Sequence, residues 1–274
     1  MKRRFLTTIQ NILASSRIIT LLAFKVRNQC NRIIVQRYAV KSMSPDINGE
    51  YLVLNFLMPT CNSYFDVGAN KGNWSSYILE NSGNNLTSIY LYEPGNSAFS
   101  IISDRFKDLS NVQITKIALS DHIGKLDFYE QENAGELSSA SEKWVSGNSS
   151  KIEVETSTLD SELSRLQLKH LDYLKIDTEG FDLKILKGAM DAITHHKIGF
   201  IQFEYNYVWT MTGSTLLSAY ELLEGCGYKV YLIKPDGLYT YDVRKNGEFF
   251  AFSNFLAISP SNTLPLKRIV KGAA

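Results

Sequence analysis

The sequence predicts an α/β fold built on a doubly wound, mainly parallel sheet. First, short apolar runs rich in β-branched residues alternate with helical patterns from Ser63 to Ile233. Second, the run 171–177 ends in acids and a glycine just before a helical pattern, which is how a parallel strand brings carboxylates to the ligand crevice of an open sheet. Third, 274 residues with 44% hydrophobic content are enough for the core of one catalytic domain.

The elements follow one another regularly along the chain. Strands are predicted at 63–67, 88–93, 112–117, 171–177, 198–204 and 228–233, with a last strand within 249–258, and helices at 73–81, 96–107, 181–189 and 215–225. Segments 124–130 and 152–156 alternate apolar and polar residues, which predicts a hairpin-like pair inserted before the fourth main strand. Between them, 131–150 is rich in Ser, Gly, Asn and Glu and is predicted to be a mobile lid.

The predicted organisation has three parts. Residues 1–60 form a basic, mainly helical extension, residues 61–258 form the catalytic domain, and residues 259–274, with two prolines and several basic residues, form a loose tail.

Positive charge is concentrated at the start of the chain. The whole chain has 29 Lys and Arg against 28 Asp and Glu, and nine of the basic residues precede Asp46, the first acid, so the remainder has 20 basic against 28 acidic residues. Apolar residues recur at helical spacing within this arm, at Phe5, Ile9, Ile12, Ile19, Ala23 and Val26. Arg17 and Lys25 bracket its most apolar stretch, which is therefore too short to span a bilayer.

Two arrangements of this arm remain open. It packs on the acidic body, which we favour, or it lies on an anionic membrane surface as a basic amphipathic helix. An Arg-rich start without acids is also typical of an organellar transit peptide. Three widely spaced cysteines favour a reducing compartment, so a cytoplasmic location is expected, peripheral to the membrane if the arm binds lipid. The acidic body disfavours nucleic acid as a partner.

The first two strands carry the features of a nucleoside site. The strand ending in Asp66 and Val67 runs into a turn from Gly68 to Gly72, whose glycines permit positive φ or close approach of a ligand. This turn has the spacing G-x-x-x-G, whereas a nicotinamide fold would have G-x-G-x-x-G. Glu93 ends the next strand, where an acid accepts hydrogen bonds from ribose hydroxyls, and Pro94 stops that strand.

Four motifs, in this order, resemble those of the FkbM family of S-adenosylmethionine-dependent O-methyltransferases. They are the turn Asp66 to Gly72, Glu93-Pro94, Ala118 to Asp121, and Thr158-Leu159-Asp160 leading to the block 175–189. The resemblance covers about 62–203 and implies a class I methyltransferase (Rossmann-like) fold with a seven-stranded sheet whose last strand is antiparallel. It also implies methylation of a hydroxyl on a sugar, glycan or natural product. The predicted S-adenosylmethionine-binding residues are Asp66, Gly68, Ala69, Asn70, Gly72, Glu93, Pro94, Ala118, Leu119 and Asp121.

Carboxylates after the fourth and fifth main strands are the predicted catalytic residues. Asp177 is best placed to accept the proton of the acceptor hydroxyl, and Glu179 and Glu204 come next. Two alternatives stay open: Glu179 caps the helix that follows, or the three carboxylates hold Mg²⁺. His122, directly after Asp121, is read as a surface histidine.

The region after the fifth strand and the overall function also leave alternatives. Residues 205–209 contain three aromatic side chains and an amide, which suit stacking on a sugar ring or packing beneath the next helix. Two alternatives to an O-methyltransferase stay open. The first is a catalytically idle scaffold that tethers a partner, and the second is a nicotinamide oxidoreductase. Binding of S-adenosylmethionine separates these functions.

Overall fold

The computed structural model describes residues 2–83, 86–131, 149–262 and 264–274, with side chains from Leu6 onward. The chain divides into two compact units, unit 1 (Met1–Ala39) and unit 2 (Val40–Ala274). Apart from its ends, the lid predicted at 131–150 lies outside the described residues.

Unit 1 consists of two helices, α1 (Lys2–Ala14) and α2 (Arg17–Tyr38). The chain bends by 105° between them, and the hydroxyl of Ser16 caps α2 by accepting the Ile19 N–H at 3.5 Å. Within the described residues, no single helix is long and apolar enough to cross a membrane, although Leu6–Ala14 and α2 taken together as a bent pair would meet that length and composition.

Unit 2 alternates helices and strands. Its helices are α3 (Pro45–Asn48), α4 (Glu50–Leu57), α5 (Asn73–Asn81), α6 (Asn96–Phe106), α7 (Leu159–Arg165), α8 (Asp182–Lys187), α9 (Met190–Thr194), α10 (Leu216–Gly225) and α11 (Val243–Asn246), with 3₁₀ turns at Met58–Thr60, Tyr207–Thr210 and Leu266–Arg268. Its strands are β1 (Ser63–Val67), β2 (Ser88–Tyr92), β3 (Val112–Thr115), β4 (Ala118–Leu119), β5 (Gly124–Gln131), β6 (Ser149–Ser157), β7 (Leu171–Ile176), β8 (Ile198–Tyr205), β9 (Lys229–Lys234), β10 (Gly237–Thr240), β11 (Ser253–Ile258) and β12 (Val270–Ala273).

The main sheet confirms the predicted fold class. Its order is β12-β10-β9-β11-β8-β7-β1-β2-β3, with β3, β2, β1, β7 and β8 parallel to one another and β11 antiparallel to both β8 and β9. Seven strands with an antiparallel last strand therefore form its body. Because β1, β2, β7 and β8 run in the same direction, their carboxyl ends meet at one edge of the sheet, where an open α/β fold binds ligands.

The last segment of the chain differs from the loose tail that the sequence predicts. β12 pairs with β10 and extends the sheet, and Ile269 beside it is 3% exposed. Burial of this side chain and the backbone pairing of β12 hold the segment in place, although its prolines and basic residues gave no strand pattern.

A second, smaller sheet contains the predicted pair of inserted strands. β5 and β6 pair antiparallel from Gly124↔Thr156 to Gln131↔Ser149, and the two-residue strand β4 joins β6 in parallel. Phe128 and Val154 are buried on this sheet.

Residues 40–60, which the sequence assigns to the N-terminal extension, are part of unit 2. Val53, Leu54 and Leu57 on α4 are each 0% exposed and belong to the hydrophobic core on one face of the main sheet. The extension and the body are therefore separated near Ala39, because α4 buries its apolar face in the core.

This burial predicts the effect of truncating α4. Leu54→Ala should lower the free energy of unfolding by ~2–5 kcal/mol, because it leaves a cavity in the core. Leu52→Ala, two residues earlier on the same helix and 45% exposed, is the matched control and should change stability by less than ~1 kcal/mol. Urea denaturation of both variants measures the difference, and equal losses would show that α4 is not core.

Candidate active site

A cavity of about 450 Å³ lies at the carboxyl ends of β1, β2, β7 and β8. Its lining includes residues at or just after the end of each of these strands, among them Gly68, Glu93, Asp177 and Glu204. A cavity of this size is within the ~300–1,000 Å³ range of small-molecule sites.

The turn after β1 is held against the turn after β7. Gly68 has φ of +79°, and a Cβ at this position would lie 2.0 Å from the carbonyl oxygen of Asp177. The N–H groups of Gly68 and Ala69 donate to the Tyr92 carbonyl at 3.0 and 3.2 Å, which joins the turn to β2 as well. Glycine is required here by the approach of another backbone segment, in addition to any ligand.

Glu93 is a buried carboxylate that bridges two turns. Its oxygens accept the N–H groups of Asn70 and Gly95, each at 2.8 Å, and the side chain is 6% exposed. Burial raises the pKa of Glu93 to about 7, and these two N–H donors only partly oppose that rise. Glu93, the predicted ribose-binding acid, therefore lies in the cavity and changes its charge near neutral pH.

The small sheet forms an apolar wall beside Glu93. Leu126 and Phe128 of β5 line the cavity together with Leu119 of β4. At the end of β5, the Glu130 carboxylate accepts the Ser97 N–H at 2.6 Å and so fastens the sheet to the first turn of α6. This insertion supplies a lining suited to a flat aromatic base.

Eight of the ten predicted cofactor-binding residues line the cavity, and Gly72 and Asp121 do not. A Cβ on Gly72 would meet the Phe106 ring at 2.6 Å, so this glycine serves the packing of α6. Asp121 pairs with His122 at 2.7 Å on the surface, where both are exposed.

Lys175 is the site residue that the sequence analysis missed. Its ammonium is buried in β7 and lies 2.8 Å from Asp177, and the charges of Asp66 and Glu50 also favour its protonated form. These carboxylates outweigh the desolvation that would lower the pKa of Lys175, so the pKa rises. A lysine within an apolar strand, two residues before an acid, was the available signal.

The pKa values of Asp177 and Glu204 are shifted in opposite directions. Burial alone would raise the pKa of Asp177, but the Lys175 ammonium and a hydrogen bond from Glu204 hold it below its ordinary value. Burial and the neighbouring Asp177 charge raise the pKa of Glu204 well above its ordinary value. The proton that this pair shares is therefore held on Glu204 in preference to Asp177.

Glu179 lies with these two acids. Carboxylate oxygens of Asp177, Glu179 and Glu204 lie within 4.8 Å of one another. The Asn206 amide donates to Glu179 at 3.3 Å and to Glu204 at 3.4 Å. α8 begins at Asp182, and its N-cap residue makes no side-chain capping bond.

Asp182 fixes the relative position of the two strand ends. Its carboxylate accepts the Thr178 hydroxyl at 3.1 Å and the Glu204 N–H at 3.2 Å, and it is fully buried. Burial, followed by the charge of Asp177, raises the pKa of Asp182 to about 7.

Glu50 connects α4 to the same cavity. It accepts the amides of Asn48 at 2.6 Å, Asn254 at 2.9 Å and Gln202 at 2.7 Å. Asn48, Glu50 and Asn254 all line the cavity. Nothing in the local sequence pattern marks these residues, which are brought together only by the packing of α4 and β11 against β8.

The aromatic residues after β8 serve packing more than binding. Tyr205 and Trp209 are 0% exposed and make an edge-to-face contact with ring centroids 5.4 Å apart. Tyr207 is 54% exposed, and none of the three lines the cavity. Of the two interpretations that the sequence left open, the structure bears out packing for Tyr205 and Trp209.

The family model for the methyltransferase FkbM domain matches residues 66–230, more than half of the chain. The chain belongs to the FkbM methyltransferase family. The match contains the turn after β1, Glu93, Lys175 and the carboxylates of β7 and β8. The FkbM match excludes Glu50 and Asn254, so one part of the cavity lining lies outside it.

One curated relative and several solved structures are similar to this FkbM protein. The 2-O-methyltransferase NoeI of Sinorhizobium fredii is 23% identical over 155 residues, which span 52% of this chain and 62% of NoeI. The FkbM methyltransferase structure from Methylobacillus flagellatus aligns with a TM-score of 0.47 and 13% identity, over 72% of this chain and 43% of that one. Fibrillarin from Methanococcus jannaschii aligns with a TM-score of 0.45 and 10% identity, over 80% and 77% of the two chains.

The contact between the turn after β1 and the turn after β7 predicts the effect of a methyl group at Gly68. Gly68→Ala should destabilise the fold by clearly more than Gly83→Ala, because its Cβ would collide with the Asp177 carbonyl. Gly83 has a similar positive φ of +60° with no atom within 4 Å of a Cβ, so it measures the backbone cost alone, ~1–2 kcal/mol. Thermal melting of both variants gives the comparison, and equal shifts would contradict the close contact.

Proposed function

We propose that this chain is an enzyme that transfers a methyl group from S-adenosylmethionine to a hydroxyl group on a sugar, glycan or natural product. The observation that carries the proposal is that Glu93 and the Asp177–Glu204 pair line one cavity. We assign Glu93 to nucleoside binding and the Asp177–Glu204 pair to proton transfer. Membership of the FkbM family supports methyl transfer, and the similarity to NoeI, a 2-O-methyltransferase by name, supports a hydroxyl acceptor.

The residues present fit S-adenosylmethionine. Glu93 offers a carboxylate to ribose hydroxyls, and Leu119 and Phe128 offer an apolar surface to adenine. Within the described chain, Asp66 Oδ1, Asn70 Oδ1 and Trp74 Nε1 are buried on the lining residues without a hydrogen-bond partner. Two acceptors and one donor suit the ammonium and carboxylate of an amino acid, and buried polar atoms left unpaired are costly.

The charge of the lining supports a neutral acceptor. Among the described lining residues, the acidic side chains are Glu50, Asp66, Glu93, Glu130, Asp177, Glu179 and Glu204, and the cationic ones are Lys71 and Lys175. A phosphate or carboxylate close to the reacting hydroxyl would be repelled, whereas hydroxyl groups donate to carboxylates and accept from the amides of Asn48 and Asn254. A polyhydroxylated acceptor fits this lining better than an anionic one.

Asp177 is placed to take the proton of the acceptor hydroxyl. When bound, S-adenosylmethionine supplies a methyl group on a positively charged sulfur. Asp177 is kept ionised by Lys175, so it accepts a hydrogen bond from the hydroxyl and then its proton. Alignment of the two substrates by the rigid strand ends contributes the larger part of the barrier reduction, ~7–11 kcal/mol in favourable cases.

The close grouping of Asp177, Glu179 and Glu204 favours a second role for these carboxylates, which is to hold Mg²⁺. A divalent ion there would polarise the acceptor oxygen and lower the pKa of its hydroxyl. We favour the base role because Lys175 already neutralises Asp177 and Glu204 holds a proton, which a metal ion would have to displace.

The direct test of function uses labelled S-adenosylmethionine with two sets of acceptors. Neutral oligosaccharides and hydroxylated natural products should become labelled, and their phosphorylated or carboxylated counterparts should not. Binding of S-adenosylmethionine without label transfer to any fraction of a cell extract would favour the idle scaffold. Binding of a nicotinamide dinucleotide in its place would overturn the family-based function altogether.

Removing the Glu93 carboxylate should weaken cofactor binding. Glu93→Ala should reduce S-adenosylmethionine affinity by ~1.5–3 kcal/mol, the range for a hydrogen bond to a charged group. Glu130→Gln, which alters a neighbouring buried carboxylate that is bonded to α6, is the control and should change affinity much less. Isothermal titration measures both, and unchanged affinity in a folded Glu93→Ala variant would overturn the ribose assignment.

Cofactor affinity should also depend on pH through Glu93. The ligand binds the ionised carboxylate, and the pKa of Glu93 in the free protein is about 7, so affinity should fall as pH drops through that value. Glu93→Gln has no such titration and should flatten this part of the profile. Identical pH profiles for the two proteins would contradict the assignment.

Asp177 should separate binding from chemistry. Asp177→Asn should keep S-adenosylmethionine affinity within a few-fold and lower turnover by ~10² or more, because the base is lost. Turnover of the native protein that ignores chelators and falls as Asp177 is protonated at acid pH supports the base. If a chelator stops turnover and Mg²⁺ restores it, the carboxylates form a metal site. If Asp177→Asn keeps full turnover and Glu204→Gln loses it, the base is Glu204 on β8.

A further inference from the structure

Unit 1 combines dense positive charge with a complete lack of acids. Its residues include eight Lys and Arg, and Asp46, the first acid of the chain, comes only after its end. The remaining residues, from Val40 onward, carry 21 basic and 28 acidic side chains. The two units therefore have opposite net charges and should respond oppositely to a charged surface.

Unit 1 also exposes much of the apolar surface of the molecule. Eleven of the twenty exposed large apolar side chains of the described residues lie between Leu6 and Ile33. No side chain of α2 is buried along its 22 residues. Exposed patches of this kind mark interaction surfaces, because a monomeric soluble domain rarely leaves them uncovered.

Four of the exposed apolar side chains share a face of α2. Ile18, Leu22, Val26 and Ile33 are separated by four, four and seven residues, a spacing that places them along one stripe. Each of the four is at least 55% exposed, and Ile18 is 72% exposed. A helical period places Lys25 and Arg32 on the flank of this stripe.

We propose that unit 1 binds the surface of an anionic membrane, with the apolar stripe of α2 in the headgroup region and its basic residues on the lipid phosphates. Amphipathic helices with apolar residues on one side and Lys and Arg beside them bind lipid in this way. Each basic residue near an anionic leaflet adds attraction, and the lack of acids removes any repulsion. This binding is a property beyond methyl transfer, because it would locate the protein at a membrane surface.

A surface position fits unit 1 better than a membrane span. α2 carries Arg17, Lys25, Arg27 and Arg32 along its length, and charged residues within a spanning helix are strongly disfavoured. A basic surface for nucleic acid would not need the exposed aliphatic side chains, which gain nothing from a phosphate backbone. An acidic protein partner shares the charge argument and is an outcome of the test below.

The experiment is vesicle flotation with the whole chain. The protein should float with vesicles that contain phosphatidylglycerol, and it should not float with phosphatidylcholine alone. Lys25→Gln with Arg32→Gln should weaken partitioning by about 30-fold, since each basic residue contributes about one kcal/mol at an anionic surface. High salt should release the native protein in the same way.

The apolar part of the contact is tested separately. Ile18→Gln with Leu22→Gln should likewise weaken flotation, since glutamine keeps helix propensity while it removes apolar area. Ile123→Gln, at a 69% exposed position of unit 2, and Lys229→Gln, an exposed lysine there, are matched controls and should float as the native protein does. All variants should keep the native melting temperature and S-adenosylmethionine affinity, which separates this test from that of the function.

Four results would overturn the proposal. The first is flotation that is equal on neutral and anionic vesicles, and the second is loss of flotation in the unit 2 controls to the same extent as in the unit 1 variants. The third is protein that only detergent releases, which would mean that the bent helix pair spans the bilayer. Failure to bind any vesicle, with capture on an acidic protein instead, would assign the surface to that partner.

Discussion

The buried ammonium of Lys175 is the interaction on which the site depends. It lies in β7 between β1 and β8, where the register places Asp66 on one side and Gln202 on the other. Its direct partner is Asp177 at 2.8 Å, and Asp66 and Glu50 add further negative charge. A buried charge without partners is strongly destabilising, so the lysine and its carboxylates must be present together. Their mutual dependence joins α4, β1 and β7 into one electrostatic unit.

The same lysine separates the roles of two neighbouring acids. Asp177 is kept ionised by the ammonium, whereas burial and the charge of Asp177 raise the pKa of Glu204, which has no cation among its hydrogen-bond partners in the described chain. Asp182 then holds the ends of β7 and β8 at a fixed separation through Thr178 and the Glu204 backbone. An acid–base pair of this kind arises because two similar side chains lie in different electrostatic surroundings.

The distribution of charge differs between the two units of the chain. The cavity and the body of unit 2 are acidic, which fits the cationic methyl donor and the neutral acceptor that we propose. Unit 1 has the opposite charge and an uncovered apolar stripe, so attraction to an anionic leaflet would be confined to that unit. Glu50 and Asn254 line the cavity from segments outside the family match, and in a fold that supports many reactions such segments determine the substrate.

The sequence by itself determined the fold class and the positions of the candidate site residues. Parallel strands end in recognisable residues, so the turn at Gly68, the acid at Glu93 and the carboxylates at Asp177 and Glu204 were predictable from position alone. The strand β12 and the attachment of α4 to the core were not, because the pattern of residues near them does not record their distant partners.

Only the tertiary structure decided how these groups behave. Gly72 has the same glycine signature as Gly68, yet it packs against Phe106, and Asp121 lies on the surface although it follows a strand end like Glu93. Protonation of Glu204, the charge of Lys175 and the part played by Glu50 all depend on burial and on neighbours that are distant in the chain. Local sequence fixes which side chains reach the edge of a sheet, whereas the environment that sets their charge is created only when the strands pack together.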